Sequence, residues 1–245
     1  MFEKISNLQM MIKKDIPNCE NCLTRKLSIF AGLPSDDLKN ISTSKRCVYF
    51  KKGQELFHEG VNANGIYCIY TGKLKFARIG VEGKEQIIRF GKKGDIVGYR
   101  SLLSRETVSA NVIALNDVVA CYIPKDIIVK MISKDALFTS QLLMKACHEL
   151  GEAGKFITNL AQKSVRERLA EVLLILHTTF DVDDLGFIDV NLKREEIASV
   201  VGTATETVIR FLSEFKADGN IELNGSRIKL LNLNKLADIG SVYDY

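Results

Sequence analysis

The sequence predicts an α+β protein built as a β-roll, a long dimerisation helix and a winged helix-turn-helix, in that order. Three observations carry this reading. From Lys45 to Pro124, short apolar stretches are separated by glycines at positions 53, 60, 65, 72, 80, 83, 91, 94 and 98, the texture of a small all-β roll. Leu143, Ala146, Leu150, Ala153, Ile157 and Leu160 then recur with spacings of 3, 4, 3, 4 and 3, a narrow apolar seam. Finally, "LKREEIASVVGTATETVIRFLSEFKADG" reads as two helices joined by a glycine turn, and "IELNGSRIKLLN" as a hairpin wing around Asn224-Gly225. The chain divides accordingly into an N-terminal arm (1–30), a β-roll sensor (31–124), a dimerisation helix region (125–163) and a winged helix-turn-helix domain (164–245).

Composition narrows the class further. With 46% hydrophobic and 26% charged residues in 245, the chain has enough apolar material for one large core or two smaller ones. No stretch approaches the roughly 20 apolar residues of a membrane helix, and the start lacks a secretory signal pattern, so no membrane partner and a cytoplasmic location are expected. A net charge of +4 is mild, so a nucleic-acid surface must come from local clustering. There is no Gly-x-Ser-x-Gly, no P-loop and no paired metal-binding histidine motif, and the chain is not expected to be an enzyme.

Polar Lys145, Glu149, Glu152 and Lys155 lie between the seam positions, and a stripe this narrow suits a partner helix. The seam therefore predicts a homodimer. The competing reading is one helix packed on its own domain.

In the helix-turn-helix, Ile197, Ala198 and Val201 form the inner face of the first helix, and Gly202 supplies the turn. Val208, Phe211 and Leu212 bury the second helix, leaving Thr205, Glu206, Ile209, Arg210 and Ser213 to enter the major groove of double-stranded DNA. Arginine gives two hydrogen bonds to guanine and glutamate accepts one from cytosine, so this pair has the chemistry to read a G·C-containing half-site. Arg227 and Lys229 on the wing are placed for phosphates. Against this stands a structural reading, in which Thr203-x-x-Glu206 is only a capping box. A second functional class also stays open: a sensing module that acts through protein partners without specific DNA binding.

The order of these parts resembles the CRP/FNR transcription regulators over nearly the whole chain from Cys19. "KKGQELFHEG" looks like that family's roll opening, "GIYCIYTGKLK" like its central hairpin, "GDIVGYRSLL" like its effector cassette and "ETVIRFL" like its recognition helix. The resemblance implies a cyclic-nucleotide-binding-like roll, a homodimer, DNA recognition through Glu206 and Arg210, and RNA polymerase as a partner.

It also frames the signal. Members that bind cyclic AMP use a glutamate after the cassette glycine and an arginine before a Ser/Thr-Ala pair; here Tyr99 and Val108 stand there, followed by Ser109 and Ala110. Valine cannot replace a bidentate phosphate contact, so cyclic AMP in the usual pose is not expected. Gly98, Tyr99, Arg100, Ser109 and Ala110 remain as a candidate effector pocket, with Arg100 and the nearby Arg105 read either as anion contacts or as surface arginines.

The oxygen-sensing branch holds a [4Fe–4S] cluster on three arm cysteines and one roll cysteine. Cys19, Cys22 and Cys121 match, but Ser28 occupies the remaining position, and a hydroxyl is a poor ligand for cluster iron. Four readings are open for Cys19, Cys22 and Cys121: a vestigial site, an iron–sulfur cluster with a non-cysteine fourth ligand, a zinc or other metal site, and a dithiol switch. Cys47, Cys68 and Cys147 read as small buried hydrophobes. His58 in the roll is read as structural, with a haem axial ligand as the alternative.

Overall fold

The computed structural model describes residues 18–242. It divides into two units: the chain as far as Leu74 with Gly91–Leu150, and Lys75–Phe90 with the chain from Gly151 onward. The strands are β1 (Arg46–Phe50), β2 (Glu55–Phe57), β3 (Gly65–Thr71), β4 (Leu74–Ile79), β5 (Glu85–Gly91), β6 (Ile96–Val97), β7 (Asn111–Ala114), β8 (Val118–Pro124), β9 (Ile221–Asn224) and β10 (Arg227–Leu230). The helices are α1 (Ser35–Ser44), α2 (Tyr99–Ser104), α3 (Lys125–Lys134), α4 (Ala136–Gln162), α5 (Val165–Phe180), α6 (Arg194–Val201), α7 (Thr205–Ala217) and α8 (Leu233–Gly240).

In the first unit an antiparallel sheet has the order β1-β8-β3-β6, while β2 pairs with β7. Strands β3 and β8 are buried on both faces, with Ile69, Val118 and Ala120 on one and Ile66 and Ile123 on the other. Pro124 closes β8 and caps α3, whose Ile128 and Met131 join the same core. Strand register also gathers the thiols. Cys47 is paired with Cys121, and Cys121 with Cys68, so three thiols from three neighbouring strands share one face.

The arm ends in a 3₁₀ turn, Thr24–Leu27, and is fastened at several points. Phe30 is buried and stacks on Phe138 at the start of α4, ring centroids 5.8 Å apart. The Cys19 amide donates to Ser42 Oγ at 3.1 Å, and Thr24 Oγ1 to the Tyr70 carbonyl at 3.3 Å. Gly94 makes room for the arm: at φ +90° it adopts a conformation most residues resist, and a Cβ there would stand 2.8 Å from Leu27 Cβ.

The second unit centres on α5, which buries Leu169, Leu173, Leu174 and Phe180. Its N-terminus carries a complete capping box: Ser164 Oγ accepts from the Glu167 amide, and the Glu167 carboxylate accepts from the Ser164 amide at 2.7 Å. Helix α8 lies against α5, and the hairpin β4–β5 is fixed to α6. Ser199 Oγ accepts from the Ile87 amide at 2.9 Å, and Lys75 Nζ bridges Glu85 and Glu196 at 2.8 and 3.1 Å.

One expectation shifts. Arg227 pairs with Asn224, so the wing turns at Gly225-Ser226, one residue later than the Asn-Gly reading; only Gly225 of that turn carries a positive φ. The acidic "DVDDLGF" after α5 forms an ordered loop: Val182 bridges Ile188, and Asp183 accepts the amides of Leu185 and Phe187.

Candidate nucleic-acid interface and sensor site

Helices α6 and α7 cross at Gly202, whose left-handed backbone (φ 72°) closes α6. Ile197, Ala198, Val200 and Val201 are buried on one side of the crossing, and Val208, Leu212 and Phe215 on the other. Phe211, expected inside, is half-buried, and Phe215 takes its place one turn on. Arg168 of α5 braces the turn from outside the motif, its Nε donating to the Val201 carbonyl at 2.8 Å and Nη2 to that of Gly202 at 3.3 Å.

Glu206, Ile209, Arg210 and Ser213 are exposed along one face of α7, with Thr205 half-buried at its start. The capping-box reading of Glu206 does not hold, because the N-cap is Ala204 and no side chain caps the helix. Arg210 lies over the Phe211 ring at 4.1 Å and donates to Glu214 at 2.8 Å, a partner the sequence did not suggest. Thr205 and Glu206 line a cavity of about 460 Å³ with Lys84 and Lys193, two exposed cations that composition alone could not place beside α7. On the wing, Arg227 is turned inward: it pairs with Asp183 and lies 4.3 Å over Phe187. Lys229 lies near the same ring, at 5.9 Å, and Arg194 of α6 holds the wing turn through the Gly225 carbonyl at 2.9 Å.

The candidate effector residues do not converge. Tyr99 and Ala110 are buried and Gly98 packs on the Phe57 ring, while Arg100 and Ser109 are exposed, as is Arg105. Tyr99, Leu102 and Val108 are interior side chains. His58 is a surface residue whose Nδ1 meets the Glu55 carboxylate at 2.8 Å.

The cysteines do converge. Cys19, Cys22, Cys68 and Cys121 line one cavity of about 30 Å³, walled by Phe30, Leu38, Ile41 and Ile123 and flanked by Arg25 and Lys45. Cys68 therefore belongs to this site and is not packing filler; Cys147 is exposed and Cys47 half-buried, so the buried-hydrophobe reading fails for all three. The Cys68 thiol is pushed up to about 12, first by burial and then by the neighbouring Cys22 and Cys19. Burial works against the Lys45 ammonium, yet its pKa is raised, because Cys121, Cys19 and Cys47 stand close by. Cys47 and Cys121 share a hydrogen bond: it lowers the pKa of Cys47 and, with burial, raises that of Cys121.

The donor set suits an iron–sulfur cluster: four thiols around an apolar pocket, with the Arg25 Nε buried there and lacking a hydrogen-bond partner among the described residues. A single ion is another matter. Among the described residues no group of three or more His, Cys, Asp or Glu side chains is placed to hold one.

A roll with a thiol-lined cavity and a helix-turn-helix with an outward polar face are the parts of a transcription regulator. The family profile of the Cyclic nucleotide-binding domain matches residues 47–135, and that of the Crp-like helix-turn-helix domain matches 167–239. The chain thus carries, in order, the two domains of the CRP/FNR transcription regulators it is similar to. It is 28% identical over 230 residues to the fumarate and nitrate reduction regulatory protein of Vibrio cholerae serotype O1, covering 92% of this chain and 91% of that one. It is 26% identical over 214 residues to the CRP-like cAMP-activated global transcriptional regulator of Mycobacterium tuberculosis, covering 86% and 96%. The solved structure of FixK2 from Bradyrhizobium japonicum has the same fold, with a TM-score of 0.72 at 24% identity, covering 80% of this chain and 96% of that one. Among the described residues no helix is long and apolar enough to cross a membrane.

Proposed function

We propose that the protein acts as a homodimer on a twofold-related DNA site, each half read by Glu206 and Arg210 with Thr205, Ile209 and Ser213 around them. The observation that carries this is the division of α7: Val208, Leu212 and Phe215 are buried, and Glu206, Ile209, Arg210 and Ser213 form an outward polar face not engaged in capping. Lys84 and Lys193 add phosphate contacts beside it, and the wing contributes Lys229, with Arg227 mainly holding the wing in place.

Dimerisation is supported by α4. Leu143, Leu150 and Ile157 are 63%, 74% and 66% exposed in a row, too much apolar surface for a helix facing water along that edge. Family resemblance supports action in the cytoplasm on RNA polymerase rather than catalysis. The sensor is the thiol-lined cavity, and cyclic AMP in its usual pose is not the signal, because Tyr99 and Val108 are core residues where the nucleotide contacts would be.

Duplex binding is tested by titration at several salt concentrations, against random sequence and against a site selected from a random pool. The expected result is salt-dependent binding to both with clear preference for a palindromic selected site, half-site centres about 34–36 Å apart. Binding without sequence preference at every salt concentration would overturn the reading.

A further inference from the structure

We propose that Cys68 is the fourth thiolate ligand of an iron–sulfur cluster held with Cys19, Cys22 and Cys121. The proposal rests on the reading of the roll as the sensor and names its chemistry.

The geometry points to position 68 in three ways. Cys68 is paired directly with Cys121 across β3 and β8, so the two sulfurs leave the sheet on one face, and both line the cavity that Cys19 and Cys22 close from the arm. The serine at 28, where the family would have its third arm cysteine, hydrogen-bonds the Cys68 thiol. Its hydroxyl also donates to the Arg25 carbonyl at 2.7 Å and accepts from the Phe30 amide at 3.3 Å, so Ser28 serves as a turn element. The sulfur absent from the arm thus stands beside that position, on the strand.

Charge agrees with an anionic occupant. Four thiolates gathered in an apolar pocket need cations nearby, and Lys45 and Arg25 flank the cavity, the latter with its buried Nε unpartnered among the described residues. A single ion needs sulfurs drawn to about 2.3 Å from one point, a convergence that is missing among the described residues. In a four-iron cluster each thiolate binds its own iron, and the ligands stand much farther apart. At about 30 Å³ the cavity is smaller than that body, so its lining must draw back when the cluster is loaded. Cys47 pairs with Cys121 but does not line the cavity, which leaves it outside the set.

The test is anaerobic reconstitution of the full chain with ferrous iron and sulfide, read by iron and acid-labile sulfide content and by visible absorption. The wild type should hold about four irons and four sulfides per chain. Cys68→Ala should lose most of both, Cys47→Ala should keep them, and Ser28→Cys combined with Cys68→Ala should regain them, which separates loss of a ligand from loss of the fold. Unchanged iron in Cys68→Ala, no recovery in the double variant, or zinc without sulfide in the wild type overturns the assignment. Binding to the selected DNA site is measured in parallel. DNA binding by a chain that never takes up iron overturns the cluster alone, whereas iron uptake without DNA binding overturns the DNA reading alone.

Discussion

The Arg210 guanidinium is held 2.8 Å from the Glu214 carboxylate, one helical turn along the same exposed face of α7. An arginine that reads guanine must leave that partner first. An exposed i,i+4 pair contributes about 0.3–0.5 kcal/mol, so Glu214→Gln should tighten specific binding about twofold. Arg210→Ala should cost roughly 1–3 kcal/mol of specific binding and leave non-specific binding far less affected. Competition titrations against random duplex check both; equal losses on the two kinds of DNA would show that Arg210 reads no base.

Ile157→Glu should give monomers. The side chain is 66% exposed on a single chain and becomes a buried charge only when a second helix covers the seam. Light scattering reads the mass directly, and an unchanged value would dismiss the seam.

Gly94→Ala tests the seating of the arm. The alanine would combine a disfavoured positive φ with a contact at 2.8 Å to Leu27, a cost of about 1–3 kcal/mol. The expected result is a melting temperature lower by several degrees and faster proteolysis around Leu27. Unchanged melting and cleavage would mean that the arm is not held there.

Glu167→Gln should lower stability at neutral pH and do so less as the solution is acidified. The Glu167 carboxyl lies below its ordinary value of 4.5 because the Ser164 side chain and then the Ser164 amide hydrogen-bond to its charged form. A group depressed in the folded state contributes stability above its unfolded pKa and loses it as pH falls through the folded one. The melting gap between wild type and variant should therefore be full near neutrality and close on the acid side of 4.5. A gap of constant size down to low pH would assign the effect to something other than the carboxylate.

The parts of this molecule that repeat locally were legible in the sequence. The 3-4 spacing announced the exposed row on α4, and the run from Leu192 to Gly219 announced two crossing helices, because periodicity and a turn glycine act over a few residues. Position 68 was not legible, since nothing near Cys68 in the chain marks it as a ligand. It acquires its neighbours only when β3 and β8 pair in register and the arm docks on α1 and β3. Arg210–Glu214 escaped for a different reason: the i,i+4 spacing is visible, but whether two long side chains meet depends on their rotamers, which spacing leaves open. The wing slipped by one residue because Asn-Gly and Gly-Ser both satisfy a two-residue turn, and strand pairing chose between them.

Arg168 carries a consequence for anyone who would transplant this reading head. Its guanidinium satisfies the Val201 and Gly202 carbonyls at the bend between α6 and α7, and it comes from α5, a helix that precedes the motif in the chain. The helix-turn-helix is therefore not a portable cassette. A graft of residues 193–218 alone would expose those carbonyls and loosen the angle at which α7 is presented, however faithfully the base-reading side chains were copied. The smallest transferable piece begins at Ser164, whose capping box starts the helix that supplies the arginine.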